Sequence, residues 1–406
     1  MAKLAINGGD KVRTKPWPTW PIWDECEINA VTDVIKSGQW GRLAEDSRCK
    51  QFEEAFAAYQ DAKYGIAVTN GTVALEIALR AAGVDVGDEV IVPSYTFVAS
   101  ATCVLANKAV PVFVDIDFET QNLYPEVVEA AITPRTKAIV PVHFAGRACD
   151  MERLLAIARK HNIAVVEDAC HSWGAMWNDR KLGAVGDCGG VSFQASKHIT
   201  AGEGGIILTN DDELAAQAFS LHHIGRIPNR PFYEHHNAGW NARMNELTAA
   251  VLMCQFGRLD AQTQTRHENG LYLDEKLGAI DGISPLRRDP WMTRISRHVY
   301  AVNYDEEVVG VPRARFMEAV TAEGVGVGGG YPHPLYKNPL FAEKRFGKIA
   351  EMVEFPDYAD MHHPNCERIC QTQVWVAHTA LLAEQSDMDD IINAFAKVVE
   401  NVDELR

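Results

Sequence analysis

The chain alternates short apolar, β-branched runs with helical patterns over its first 210 residues, and this alternation restricts the fold more than any other feature. The apolar runs lie at residues 65–68, 89–92, 110–114, 138–142, 163–166, 190–193 and 205–208. Helical patterns lie between several of them, at residues 73–82, 98–106, 126–131 and 151–160. Strands that alternate with helices in this way predict an α/β fold with a mostly parallel central sheet flanked by helices on both faces.

The remainder of the chain predicts a second, smaller unit. Residues 27–37 and 53–59 have helical patterns, and a long helical pattern runs from residue 246 to about residue 277. Beyond it, a strand pattern at 298–303 and an amphipathic helix at 388–402 indicate a smaller α/β domain. We therefore expect an N-terminal arm and large domain in residues 1–250 and a small C-terminal domain in residues 251–406.

Composition excludes several classes of protein. The net charge of −16 argues against a nucleic-acid partner, because phosphate backbones require clustered Lys and Arg. The sequence contains neither a secretory signal nor a run of 18 uncharged apolar residues, so we expect no membrane span. The nine cysteines form no regular framework and predict reduced thiols in a cytoplasmic protein. Cys366 and Cys370, and three His-His pairs, lack the paired spacing of a zinc site, so no metal is expected.

Polar residues follow the predicted strands at the point where each strand ends. Thr69-Asn70-Gly71-Thr72 follows residues 66–68 and begins a helix, where free N–H groups and the positive end of the helix dipole favour a phosphate. The alternative is an ordinary helix cap. Asp168 follows residues 163–166, and a carboxylate there can keep a pyridine nitrogen protonated. A cap or metal-ligand carboxylate is the alternative.

Lys197 follows residues 191–193 and precedes a glycine-rich turn. A lysine amine beside a buried cofactor is nucleophilic towards an aldehyde because burial lowers its pKa; a solvated surface lysine is the alternative. Tyr95 and Phe97 follow residues 90–92 and can stack on a flat ring, unless they are core aromatics. Because ligands of open parallel sheets bind at the carboxyl ends of strands, these four positions together predict one cofactor, pyridoxal 5′-phosphate (PLP), attached to Lys197.

The same segments resemble the DegT/StrS-type family of PLP-dependent aminotransferases, which act on sugars and cyclitols. The resemblance covers nearly the whole chain and implies the fold-type I architecture of PLP-dependent transferases. The segments that carry it are AVTNGTVALEIAL, GDEVIVPSYTFVAS, PVFVDID, TPRTKAIVPVHFAG, VVEDACHSWGA, SFQASKHITAGEGG and GWNARMNELTAA.

The resemblance implies a role for each matching residue. Lys197 matches the Schiff-base lysine, which is also the general acid and base, and Asp168 matches the partner of the pyridine nitrogen. The other implied cofactor contacts are the stacking aromatic Phe97, His171 beside the phenolic oxygen, and Gly71, Thr72 and Ser192 at the phosphate. Asn241 matches an asparagine that reaches the phosphate of the neighbouring subunit's cofactor, which implies a homodimer with shared active sites.

The sequence restricts the identity of the substrate less than it restricts the identity of the cofactor. The segments KSGQWGR and GYPHPLY resemble those of enzymes that aminate keto-inositols, which favours a scyllo-inosose-type acceptor with glutamine or glutamate as the amino donor. An aminotransferase for nucleotide-diphosphate keto-sugars is the main alternative; a 3-amino-5-hydroxybenzoate synthase-like lyase, β-elimination and a catalytically silent regulator are others. The residues expected near the substrate are Trp40, Arg42, Tyr331, His333 and Tyr336, with interface aromatics or surface residues as the alternative.

Overall fold

A computed structural model describes residues 3–43 and 46–406. Its strands, in chain order, are β1 (Tyr64–Val68), β2 (Glu89–Pro93), β3 (Val110–Val114), β4 (Thr136–Ile139), β5 (Ala164–Asp168), β6 (Met176–Trp177), β7 (Arg180–Lys181), β8 (Cys188–Ser192), β9 (Gly205–Thr209), β10 (Ile283–Pro285), β11 (Val299–Tyr304), β12 (Val327–Gly328) and β13 (Gln373–Ala377). Its α-helices are α1 (Glu25–Ser37), α2 (Arg48–Tyr59), α3 (Gly71–Ala81), α4 (Ala99–Ala106), α5 (Pro125–Ala130), α6 (Met151–His161), α7 (Asp212–His222), α8 (Glu246–Leu277), α9 (Glu306–Val309), α10 (Arg313–Ala322), α11 (Pro339–Ala342), α12 (Ile349–Met352), α13 (Pro364–Thr372) and α14 (Gln385–Glu400).

The central sheet has seven strands in the order β1-β9-β8-β5-β4-β2-β3. Strands β8, β5, β4, β2 and β3 pair in parallel, whereas β9 runs antiparallel to both of its neighbours, β1 and β8. The mostly parallel sheet expected from the sequence is therefore confirmed. The carboxyl ends of β1, β2, β5 and β8 all lie at the same edge of this sheet.

Helices cover both faces of the sheet. Alternate residues of a strand therefore pack into different cores, one on each face. Val90 and Val92 of β2 pack into a core with α3 and α4, whereas Ile91 between them packs into a core with α6. On β9, Ile207 joins the first of these cores and Ile206 packs against α2 and α8. A strand that is apolar on both sides is buried on both sides, which explains the continuous apolar runs in the sequence.

The C-terminal part contains a second sheet of four antiparallel strands in the order β10-β11-β13-β12. Its core includes side chains of α8, α10 and α14, and also Leu4 from the N-terminal arm. Arg13 of the same arm is buried and forms an ion pair with Asp387, 2.9 Å away. The arm therefore packs against this sheet, and the boundary expected at residue 250 lies within α8.

One pair of cysteines departs from the expectation that all thiols are reduced. Cys26 of α1 and Cys254 of α8 form a disulfide, and the other seven cysteines are free. The bond joins helices that neighbour each other in the fold but lie 228 residues apart in the chain, so spacing along the sequence did not identify the pair.

Within residues 3–43 and 46–406, no helix is both long enough and apolar enough to cross a membrane. The same residues contain no group of three or more His, Cys, Asp or Glu side chains able to hold a metal ion.

Glu167 is the neighbour of the predicted cofactor contact Asp168, but its side chain forms hydrogen bonds only within the protein framework. Its buried carboxylate accepts hydrogen bonds from His143 Nε2 (2.9 Å) and from the backbone N–H groups of Gly183, Val185 and Gly186 (each 2.7 Å). Burial raises the pKa of this carboxyl, but the four hydrogen bonds outweigh burial, so the net pKa lies below its ordinary value. The carboxylate thus ties the loop before β8 to strand β5.

We expect Glu167→Gln to lower the free energy of unfolding at pH 7 by about 3–5 kcal/mol, because the amide leaves buried donors without a charged acceptor. Since the folded-state pKa is depressed, the carboxylate stabilises the protein above its ordinary pKa, and this contribution disappears as the pH falls through the folded-state value. Urea denaturation followed by circular dichroism at pH 7 and at pH 4 measures both effects. The exposed Glu152→Gln on α6 is the control, and an equal effect of the two substitutions would contradict the interpretation.

Candidate functional site

The carboxyl ends of the central strands and the start of α3 surround a cavity of about 740 Å³. Residues from four of the predicted positions line it, and residues from the C-terminal part close it from the other side. The residues that line the cavity include Asn70, Gly71, Thr72, Phe97, Asp168, Cys170, His171, Ser192, Lys197, His298, Tyr331 and Trp375.

The first turn of α3 forms one wall of the cavity. Asn70 is the N-cap, and its side-chain oxygen accepts from the Val73 N–H at 2.9 Å. The N–H groups of a first helical turn have no carbonyl four residues earlier, so those of Gly71 and Thr72 are available to an anion. A Cβ at Gly71 would lie 2.6 Å from the Ser192 Cβ, so only glycine allows the helix to approach β8 so closely. This wall has the properties of a phosphate cradle.

Asp168, at the end of β5, forms a negative point in the cavity. Its Oδ2 accepts from the Ser100 hydroxyl at 2.6 Å, and its Oδ1 accepts from the Cys170 N–H at 3.1 Å. These donors hold the carboxylate in one orientation, and only 6% of the residue is exposed. A buried, fixed carboxylate of this kind favours the protonated form of a ring nitrogen placed against it.

Lys197 also lines the cavity and lies in the turn between β8 and β9. Burial lowers the pKa of its ammonium, and Cys170 and Asp168 act in the opposite direction. Its Nζ lies 3.4 Å from His298 Nε2 and 5.9 Å from the centre of the Trp173 ring. An amine whose pKa is lowered in this way is more readily deprotonated and therefore more nucleophilic.

His171 and Phe97 have the surroundings expected of cofactor contacts. The His171 Nδ1 is buried with no hydrogen-bond partner among the residues described, and burial together with the Lys197 charge keeps the imidazole pKa well below its usual value. Phe97 is 58% exposed although it lines the cavity, so its ring is free to cover a flat ligand. Ser192 accepts from the Gln194 N–H at 3.3 Å beside the start of α3.

The five residues expected near the substrate are placed differently from one another. Tyr331 lines the cavity and packs edge-on against Tyr95 and Trp375. Trp40 and His333 are exposed and lie outside this cavity.

The other two are held by carboxylates elsewhere. Arg42 is buried in an ion pair with Glu53, with an Nε–Oε1 distance of 3.1 Å, and Tyr336 is buried and donates to Glu367 at 2.7 Å.

Asn241 also lies outside the cavity of its own chain, in an exposed position where its backbone bridges to His223. Conversely, His298 and Trp375 line the cavity but were not selected from the sequence. Both are more than 100 residues from Asp168 and Lys197 in the chain, so no local motif connects them to the site. The one feature of the sequence that could have pointed to His298 as a cavity residue was its position at the start of a predicted strand.

These features fit PLP. The cradle at Gly71 suits a phosphate, Asp168 a ring nitrogen, the His171 imidazole a phenolic oxygen, and the Lys197 amine an aldehyde carbon. The match concerns four independent groups of one cofactor on the walls of one cavity.

Comparisons with known proteins agree with this geometry. The profile of the DegT/DnrJ/EryC1/StrS aminotransferase family matches residues 21–396. The chain is 39% identical, over 421 residues, to the L-glutamine:2-deoxy-scyllo-inosose aminotransferase of Streptoalloteichus tenebrarius, with 99% of both chains covered. It is 37% identical, over 422 residues, to the L-glutamine:scyllo-inosose aminotransferase of Streptomyces griseus, with 100% of this chain and 99% of the relative covered.

Among solved structures, that of 3-amino-5-hydroxybenzoic acid synthase superposes with a TM-score of 0.86 at 35% identity, covering 96% of this chain and all of the other. The fold-type I architecture and the family resemblance expected from the sequence are thus confirmed. With a family profile that spans most of its length and full-length relatives at 37–39% identity, the chain belongs to the DegT/DnrJ/EryC1/StrS aminotransferase family.

Proposed function

We propose that the protein transfers the amino group of L-glutamine to the keto group of a cyclitol of the scyllo-inosose type, with PLP as cofactor. The observation that carries this proposal is the full-length similarity to enzymes named for that reaction, combined with a cavity built around Lys197 and Asp168. The charge of the cavity supports the cyclitol over a nucleotide-diphosphate sugar. Among its described lining residues, Lys197 is the only Lys or Arg, whereas a diphosphate is usually bound by several cations.

When bound, PLP supplies an electron sink that makes the carbon-bound proton of an amino compound acidic. The residues of this chain provide the rest. Asp168 favours a protonated ring nitrogen, the first turn of α3 binds the phosphate, and Phe97 covers the ring. Lys197 anchors the cofactor and afterwards moves a proton as a free amine, for which its lowered pKa is suited. His171 is placed to hydrogen-bond the phenolic oxygen.

We further propose that two chains form a homodimer and that Asn241 of each completes the phosphate site of the other. Asn241 is exposed and lies outside the cavity of its own chain. Large apolar side chains of two segments, residues 40–43 and 227–233, are exposed as well, as expected of a surface that another chain covers. They are Trp40, Leu43, Ile227, Phe232 and Tyr233.

The first test is a screen of amino donors and acceptors by absorbance spectroscopy. We expect L-glutamine to remove the visible band of the bound cofactor, because the aldehyde is converted to an amine, and scyllo-inosose to restore it. Lys197→Ala should show neither change, whereas Lys160→Ala on the surface of α6 should show both. Restoration by a nucleotide-diphosphate keto-sugar alone would contradict the proposed acceptor. No change with any amino donor would favour elimination or a regulatory role.

The second test concerns the phosphate cradle. We expect Gly71→Ala to raise the dissociation constant of PLP at least tenfold, because the added methyl group would lie 2.6 Å from the Ser192 Cβ and push α3 away from β8. Fluorescence titration of the cofactor-free protein measures this constant. Gly257→Ala is the matched control, since it lies on an exposed part of α8 with no atom near its Cβ position. Equal affinities in both variants would show that the phosphate binds elsewhere.

The third test concerns the shared site. Asn241→Ala and Lys197→Ala should each be inactive or nearly so as homodimers. A mixture of the two, refolded together, should recover activity, because one of the two sites in a mixed dimer then has both wild-type residues. The measurement is activity as a function of mixing ratio. If the mixture stays as inactive as its components, Asn241 acts within its own chain.

A further inference from the structure

Four imidazoles form a cluster beside Lys197, and the proposed aminotransferase chemistry uses only one of them, His171; the other three are His198, His298 and His378. The ring of His298 lies 4.2 Å from that of His171 and 5.6 Å from that of His378, to which it is nearly parallel. The ring of His198 lies 4.8 Å from that of His378. His298 is thus a buried residue with two other imidazole rings beside it.

The hydrogen bonds of His378 determine which of its nitrogens carries the proton. An arginine can only donate, so the His378 Nδ1 accepts from Arg266 Nη2 at 3.2 Å and has no proton. Its Nε2 therefore carries the proton and donates it to the Ser196 carbonyl at 3.1 Å. A buried arginine thus holds, through a neutral imidazole, the backbone of the residue that precedes Lys197.

His298 contacts the amine itself. Its Nε2 lies 3.4 Å from the Lys197 Nζ, and its Nδ1 is buried without a partner among the described residues. Burial and the charge of Lys197 keep the pKa of this imidazole well below its usual value, so the ring is neutral at neutral pH. A lysine ammonium can only donate a hydrogen bond, so a neutral His298 accepts it on Nε2 and carries its own proton on Nδ1.

We propose that His298 is a positioning residue for Lys197, whose Nε2 accepts a hydrogen bond from the Nζ whenever that nitrogen is not bonded to the cofactor. The imidazole keeps the free amine at the edge of the cavity during the part of the reaction in which it must deliver a proton. This role rests on the proposed aminotransferase function. A residue from the C-terminal part of the chain thereby helps to position the Lys197 amine.

The titration of the Nζ depends on all the ionisable groups around it. Those that face Lys197 and His298 come from the end of β5, the turn after β8, helix α8 and the end of β13; they are Asp168, Cys170, His171, His198, Arg266 and His378. Apart from Asp168, none of these is a carboxylate, and Glu203, the other carboxylate among the described lining residues, is exposed. The acceptor within hydrogen-bond distance of the Nζ is the Nε2 of His298.

The test is the pH dependence of Lys197 acetylation in the full-length, cofactor-free protein. Acetic anhydride reacts only with the neutral amine, and mass spectrometry of the peptides gives the midpoint for each lysine, with the exposed Lys160 and Lys348 as internal references. We expect His298→Leu to lower the Lys197 midpoint by about one to two pH units, because the ammonium loses its acceptor. His298→Gln should keep the midpoint within about half a unit, because the amide oxygen also accepts.

His161→Leu, on the surface end of α6, is the matched control and should leave the midpoint unchanged. An unchanged midpoint in His298→Leu would overturn the proposal, and so would an equal fall in His298→Leu and His298→Gln, since that outcome indicates packing alone.

If His298→Leu does not fold, the wild-type protein labelled with ¹⁵N-histidine answers the same question. The chemical shifts of the His298 ring nitrogens should change at the pH of the Lys197 midpoint, and this change should be absent in Lys197→Met. Chemical shifts that do not change at the Lys197 midpoint would contradict the contact. Neither measurement requires turnover, so a failure here is distinct from a failure of the proposed reaction.

Discussion

The close approach of helix α3 to strand β8 is the contact on which the rest of the site depends. Two glycines permit it. A Cβ at Gly71 would lie 2.6 Å from Ser192, and a Cβ at Gly190 would lie 2.9 Å from Leu75 of the helix. Because the first turn of α3 can lie against the end of β8, its N–H groups face the same cavity as the residues that follow β5 and β8. Strands β5 and β8 are paired neighbours and place Asp168 and Lys197 at the same edge of the sheet, and the packing of α3 on β8 adds the helix N-terminus to that edge.

Consecutive residues at the end of β5 show how a strand divides its side chains between structure and chemistry. Side chains alternate between the faces of a strand, so Glu167 and Asp168 point in opposite directions. Glu167 is enclosed by four donors and ties down the loop before β8, whereas Asp168 keeps an open side towards the cavity. Both side chains are carboxylates, so their different roles result from their different surroundings.

The sequence was sufficient for most of the large sheet and for the residues at its edge. The predicted strands fall within two or three residues of the observed ones, since apolar runs and turn residues mark them locally, and the helix expected from residue 246 to about 277 matches α8. The sequence also predicts that Gly71, Asp168 and Lys197 lie close together, because each lies at or just beyond the end of a strand, and all three line the same cavity. Contacts between distant segments were not accessible in this way. The disulfide between Cys26 and Cys254 and the packing of the N-terminal arm on the C-terminal sheet both depend on tertiary structure. So does His298, which reaches the amine from 101 residues away.

The central claim is that this cavity holds PLP and that Lys197 binds it covalently. Borohydride reduction of the purified protein, followed by proteolysis and mass spectrometry, tests it most directly, because reduction makes the bond between lysine and cofactor permanent. The account requires the phosphopyridoxyl group on the peptide that contains Lys197. A group on any other lysine, or a protein reconstituted with PLP that carries no group at all, would contradict it.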